Sequence, residues 1–150
     1  MKIILSGGGT LGPVSPLLAI YEVYKQHNPD CSFIWIGTKH GAEKKIVEQY
    51  NIPFFVIASG KLRRYFSLWN VIDFFKVIFG FFQALFFLLH EKPSLLITAG
   101  GFVSVPLHFA AGLLGIPTWV HQQDVRVGLA NKMMKGIATK VTTALESSLK

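Results

Sequence analysis

"LSGGGTLGPVSPLLAI", residues 5–20, decides how the rest of the chain is read. It follows the apolar start MKII and contains Gly7-x-Gly9-x-x-Gly12, the spacing of a loop that joins a buried strand to a helix beside a diphosphate. Glycines let a backbone approach a ligand closely and adopt positive φ, which exposes N–H groups. Ser15 is a good helix N-cap, and Pro16 then suits the first helical position, where its missing N–H costs nothing. A helix N-terminus behind such a loop favours an anion. A tight turn that merely closes strand onto helix is the plainer alternative.

Outward from this loop, short apolar runs alternate with longer helix-like stretches. Strands are expected at about 2–6, 32–37, 53–57, 94–98, 117–121 and 139–143, and helices at 15–27, 40–50, 68–91, 104–115 and 125–136. Runs such as KIILS, SFIWIG and SLLIT are nearly continuous in apolar or β-branched residues, as parallel strands buried on both faces require. The alternation predicts right-handed βαβ units and one α/β domain, a Rossmann-like doubly wound parallel sheet. In such sheets ligands sit outside the carboxyl ends of the strands, so the loops that follow strands carry the information.

Composition narrows the partners. With 51% hydrophobic and 13% aromatic residues, the 150-residue chain is no disordered tail. A single cysteine, Cys31, excludes an internal disulfide framework and suits a reducing compartment. No basic segment and cleavage site precede the first apolar run, so no signal peptide is expected. The formal charge of +7 calls for an anionic partner: nucleic acid, an acidic membrane or a phosphorylated substrate. Lys44, Lys45, Lys132, Lys135 and Lys140 are scattered over several elements, and no RNP-type motif is present, which disfavours nucleic acid. The five histidines stand apart from one another, and no metal site is expected.

A dinucleotide site usually places an Asp or Glu at the end of the second strand to bind a ribose. Here that strand runs IWIGTKHG and ends in Thr38 and Lys39, with no carboxylate. This excludes plain NAD and leaves an NADP-dependent oxidoreductase, with Lys39 on a 2′-phosphate, as an alternative. The loop TAGGFVSVP (98–106) repeats the glycine device, with Gly100 and Gly101 after a strand and Ser104 able to cap the next helix. A third loop, HQQDVRVGLANK (121–132), offers His121, Gln122, Gln123, Asp124 and Asn131 to a sugar or amide, with Asp124 also a candidate cap.

In order and spacing the three loops resemble the N-terminal domain of the MurG-type UDP-N-acetylglucosamine transferases of glycosyltransferase family 28. The family's GGTGGH-x-x-P is matched by Gly8 to Pro16, its GG[YF]VSGP by Gly100 to Pro106, and its HEQN…GLxNK by HQQD and GLANK. The resemblance covers all 150 residues and implies the N-terminal half of a GT-B enzyme. It implies inverting transfer of GlcNAc from UDP-GlcNAc to an undecaprenyl-diphosphate-linked muramyl peptide, at the cytoplasmic face of the membrane. No cofactor and no protein-held metal are implied. Gly8, Gly9, Gly100, Gly101, Phe102, Val103 and Ser104 fall at positions expected to meet the acceptor diphosphate. Thr10, Leu11, Gly12 and Asp124 fall where the family reaches the nucleotide-sugar. The chain departs from the pattern at Leu11 and Val105, which replace glycines, and at Gln122 and Asp124, which replace Glu and Asn. Pro13 stands where the family has its histidine, so no catalytic base is assigned.

Residues 59–93 are the most unusual by composition. Lys61, Arg63 and Arg64 interleave with Leu62, Tyr65, Phe66 and Trp69, the mixture of a lipid-headgroup interface. The helix beyond is nearly apolar from Phe74 to Leu89, short of the roughly 20 residues that span a bilayer. Asp73, Lys76, Gly80, Gln83 and His90 form a narrow polar stripe along it. Peripheral membrane contact, burial in the core and a transmembrane role are all open for this helix, and the resemblance favours the first. A C-terminal donor domain, in cis or in trans, is the expected partner. A non-catalytic membrane scaffold that recruits a separate catalytic subunit is the alternative suggested by Pro13.

Overall fold

The computed structural model describes residues 1–60 and 69–145. Among them are strands β1 (Lys2–Ser6), β2 (Ser32–Gly37), β3 (Phe54–Val56), β4 (Leu95–Thr98), β5 (Thr118–Gln122) and β6 (Lys140–Thr143). The helices are α1 (Val14–His27), α2 (Glu43–Gln49), α3 (Trp69–Glu91), α4 (Ser104–Leu113) and α5 (Leu129–Lys135). All strand pairs are parallel, in the order β3-β2-β1-β4-β5-β6. This is the Rossmann-like doubly wound sheet expected from the apolar runs.

The central strands read as unbroken apolar runs because both their faces are covered. Ile3 and Leu5 pack with Val14, Leu17, Phe33 and Trp35, while Ile4, between them, packs with Ile34, Ile36, Leu96 and Leu107 on the other face. The register Ile3↔Leu95, Ile4↔Leu96, Leu5↔Ile97 keeps each set on its own side; a one-residue slip would exchange them. After β3 the chain crosses the sheet, so that β4 returns beside β1. The loops that follow β1 and β4 therefore lie next to each other at the switch point.

Three helix starts differ from expectation; in α4 the N-cap position is Val103, so Ser104 is already helical and its hydroxyl does not cap the helix. α1 begins at Val14, with Pro13 already helical (φ −67°, ψ −17°), so Ser15 lies inside the first turn and caps nothing. The proline ring fixes φ near its helical value, and the Val14 N–H closes the turn onto Leu11 O at 3.1 Å. α5 begins at Leu129 behind the extended Gly128, not near Val125, so Asp124 does not cap it. The intervening loop is held by the Gln122 side chain, which donates to Asp124 O and Arg126 O at 2.8 and 3.4 Å.

α3 turns Asp73, Gly80 and Gln83 of its polar stripe inward, while Lys76 and His90 are exposed. Asp73 is buried, Gln83 accepts from the Ala58 N–H at 2.7 Å, and a Cβ on Gly80 would lie 1.9 Å from Ala58 O. Ala84 and Leu88 complete the packed side, against α4. Outward stand Phe75, Phe79 and Phe86, at 64%, 60% and 69% exposure, with Phe74, Phe82 and Leu89 beside them. By length and composition alone, the 21 residues Val71–Glu91 would suffice to cross a membrane.

Candidate functional site

The loop after β1 is fixed from two sides. Trp35 Nε1 donates to Gly7 O at 3.1 Å, and Gly9 takes φ +85°. Glu43, wholly buried in the first turn of α2, accepts from Thr38 N–H at 2.7 Å, from the Thr38 hydroxyl at 2.5 Å and from Gly9 N–H at 3.4 Å. The strand end that reads without a carboxylate thus receives one from the next helix. Its Oε1 lies only 2.3 Å from where a Gly8 Cβ would stand, so Gly8 leaves room for this anion. Sequence reasoning missed Glu43 because an acidic residue in a helix's first turn is ordinary.

The loop after β4 has two left-handed glycines, Gly100 (φ +113°) and Gly101 (φ +90°). A Cβ on Gly101 would sit 2.5 Å from Gly8 O, so the two loops touch backbone to backbone. Ser104 ties them together. Its Oγ lies 3.0 Å from Ser6 O, from Gly100 O and from Ser6 Oγ, and its N–H donates to Gly101 O at 3.1 Å. Val103 is fully buried and Phe102 packs beside α5, so the side chains of both serve the core. Their N–H groups, at the N-terminus of α4, carry no hydrogen bond among the described residues. A helix end of this kind attracts negative charge.

The third loop closes the far side. Asn131 Nδ2 donates to Gln122 Oε1, which orients the Asn131 amide and leaves its Oδ1 buried without a donor. Gln123 Oε1 is in the same state. Each such orphan costs about 1–3 kcal/mol. Both residues line a cavity of about 260 Å³ with Thr10, Gly12, Pro13, Gly100, Gly101 and Asp124. Three of the four residues expected at a nucleotide-sugar therefore meet here; Leu11 is 46% exposed and does not line the cavity.

Among the histidines of these loops and helices, His121 Nδ1 is 2.9 Å from Thr142 Oγ1, and burial lowers its pKa. Among the described residues, neither ring nitrogen of His108, fully buried on α4, makes a hydrogen bond of good geometry, and the backbone of Met134 offers only a weaker one. Burial lowers the His108 pKa to about 4, with the backbone of Met134 offsetting only part of the effect. Lys61, Leu62, Arg63, Arg64, Tyr65 and Phe66, expected at the membrane, lie outside the described residues; Trp69 is described only as the first residue of α3.

A sheet of this order, with paired glycine loops at its switch point, defines a Rossmann-like domain that meets its ligand outside the carboxyl ends of the strands. The chain belongs to glycosyltransferase family 28: the family's N-terminal domain matches residues 3–143. A UDP-N-acetylglucosamine–N-acetylmuramyl-(pentapeptide) pyrophosphoryl-undecaprenol N-acetylglucosamine transferase of Clostridium kluyveri is 46% identical over 149 residues, 99% of this chain and 42% of the relative. The same-named protein of Clostridium botulinum (strain Alaska E43) is 44% identical, with 99% and 41% covered. The crystal structure of Acinetobacter baumannii MurG superposes with TM-score 0.82 at 28% identity, covering 98% of this chain and 41% of that one. A Methanocaldococcus jannaschii UDP-GlcNAc 2-epimerase shares the fold alone, with TM-score 0.72 at 19% identity and 99% and 42% covered. The chain spans about two-fifths of the length of these curated relatives. Family membership sets aside the NADP-dependent oxidoreductase reading.

Proposed function

We propose that this domain is the acceptor-holding half of an inverting N-acetylglucosaminyltransferase of peptidoglycan synthesis, acting on a lipid-diphosphate-linked muramyl peptide. The observation that carries the reading is the contact between Gly101 and Gly8, which places the open N-terminus of α4 at the centre of the sheet edge. The acceptor diphosphate is read by the N–H groups of Gly100 to Val103 and by the positive end of the α4 dipole. Ser104 acts by holding the loop, and Gly8 and Gly9 by shaping its neighbour. UDP-GlcNAc is approached from the cavity lined by Thr10, Gly12 and Asp124, with most donor contacts supplied by a C-terminal domain in cis or in trans. Leu11 sits at the rim.

The outward phenylalanines of α3 form the membrane-facing surface, at the cytoplasmic leaflet, and in sequence the helix is preceded by the basic and aromatic residues Lys61, Arg63, Arg64, Tyr65 and Phe66. Five phenylalanines and Leu89 are exposed together on this helix, and lipid is the partner that matches such a face. Transfer to a sugar hydroxyl also needs a base. Pro13 lines the donor-side cavity and has no group that moves a proton. That one observation favours the second reading, a membrane scaffold whose catalytic groups come from another subunit.

The test is calorimetric titration of residues 1–150 with a soluble short-chain analogue of the lipid-diphosphate muramyl pentapeptide, and separately with UDP-GlcNAc. The analogue should bind, UDP-GlcNAc should bind weakly, and no GlcNAc should be transferred by the domain alone. Tight UDP-GlcNAc binding without acceptor binding, or unaided turnover, would contradict the reading.

A further inference from the structure

A second cavity, of about 620 Å³, opens on the opposite flank of the glycine loops from the donor-side cavity. It lies between the ends of β2 and β3 and the inward face of α3, and it begins at Gly9, so it continues from the first glycine loop. Its volume falls within the ~300–1,000 Å³ range of small-molecule sites, well beyond what a diphosphate fills. Lys39, His40, Ser59, Lys76 and Gln83 contribute its polar lining.

The charge in this cavity is one-sided. Neither Glu43 nor Asp73 lines it, and Glu43 is turned into the Thr38 and Gly9 donors. Lys76 lies 3.6 Å from the buried Asp73, which steers the ammonium while leaving it half exposed. Lys39 is exposed and makes no ion pair among the described residues. The site presents Lys39, without an ion pair among the described residues, and Lys76, already shared with Asp73, beside a half-apolar wall formed by Val56, Ile57 and Ala58. An extended ligand carrying carboxylates fits this chemistry.

We propose that this cavity receives the peptide of the lipid-linked acceptor, with Lys39 and Lys76 meeting its carboxylates. The inference rests on the acceptor reading above. A peptide of five residues reaches at most about 17 Å when extended, and it ends in a carboxylate whatever its sequence. Diphosphate on the α4 end, muramyl sugar over Gly9 and peptide toward Lys39 then follow the covalent order of the acceptor along one sheet edge.

The experiment compares two soluble short-chain acceptors, one with free peptide carboxylates and one with those carboxylates amidated, against wild type, Lys39→Gln and Lys39→Arg. Circular dichroism confirms that each variant is folded. Lys39→Gln should weaken binding of the free-carboxylate compound about threefold to fivefold, the scale of one partly exposed ion pair. It should leave the amidated compound unchanged, and Lys39→Arg should retain wild-type affinity. Equal loss for both compounds, or no loss for either, overturns the proposal. So does reduced partition of Lys39→Gln onto phosphatidylglycerol vesicles with acceptor binding intact, which would assign the cavity to a lipid headgroup. If the wild type binds both compounds equally, only this inference fails; if it binds neither, the acceptor reading fails with it.

Discussion

The loop after β1 and the loop after β4 meet backbone to backbone, yet they are held by different chemistry. In the first, the carboxylate of Glu43 engages Gly9 and Thr38, so an anion already sits beneath the glycines. In the second, the neutral hydroxyls of Ser6 and Ser104 do the holding, and the amides at the start of α4 stay open. A diphosphate placed over Glu43 would meet a like charge, whereas over α4 it meets only dipoles. Two loops that look equivalent as glycine motifs thus divide the work: one shapes the site and the other supplies the anion contacts.

The largest effect should come from breaking the contact between the loops. Gly101→Ala forces a side chain into φ +90° and places its Cβ 2.5 Å from Gly8 O, so we expect more than about 4 kcal/mol of destabilisation, read as loss of the thermal transition. Acid acts next, through α4. His108 has a folded pKa of about 4 against 6.5 when exposed, so between these values the unfolded chain binds the extra proton. Stability is therefore lost as pH falls from 6.5 toward 4, by roughly 3 kcal/mol from this residue. His108→Leu should flatten that part of the profile in urea titrations at each pH.

Glu43→Ala strands the Thr38 and Gly9 donors and should cost about 2–3 kcal/mol in chemical denaturation, while Ser104→Ala should cost about 1–2 kcal/mol. The comparison is sharpened by acceptor affinity: Ser104→Ala should weaken acceptor binding more than its smaller stability cost suggests, because it loosens the loop that contacts the ligand. The smallest stability effect belongs to α3. Phe79→Ser, on the exposed face, should shift unfolding by less than about 0.5 kcal/mol but reduce partition onto anionic vesicles in co-sedimentation.

The sheet was legible because β1, β2 and β4 are covered on both faces, and continuous apolar runs such as IIL and LLI admit no other role. The glycine loops were legible as motifs, since φ +90° at Gly101 leaves few residue choices. What was not legible depends on tertiary placement. Glu43 reaches the first loop only because α2 folds back over the end of β2. The polar stripe of α3 was visible, but its direction is set by Gly80, which lets the helix close on Ala58 and turns the phenylalanines outward. Ser15, Ser104 and Asp124 have cap chemistry and do not cap the helices they precede, because Pro13 and Val103 start theirs early and Gln122 holds the third loop in a bend ahead of α5.

The central claim is that the anion contacts lie at the start of α4. Amide chemical-shift mapping of residues 1–150 during titration with the soluble lipid-diphosphate acceptor tests it most directly. The account predicts the largest shifts at Gly100, Gly101, Phe102 and Val103, with smaller ones at Gly9. Shifts centred on Gly8, Gly9 and Thr38, with the start of α4 unmoved, would contradict it.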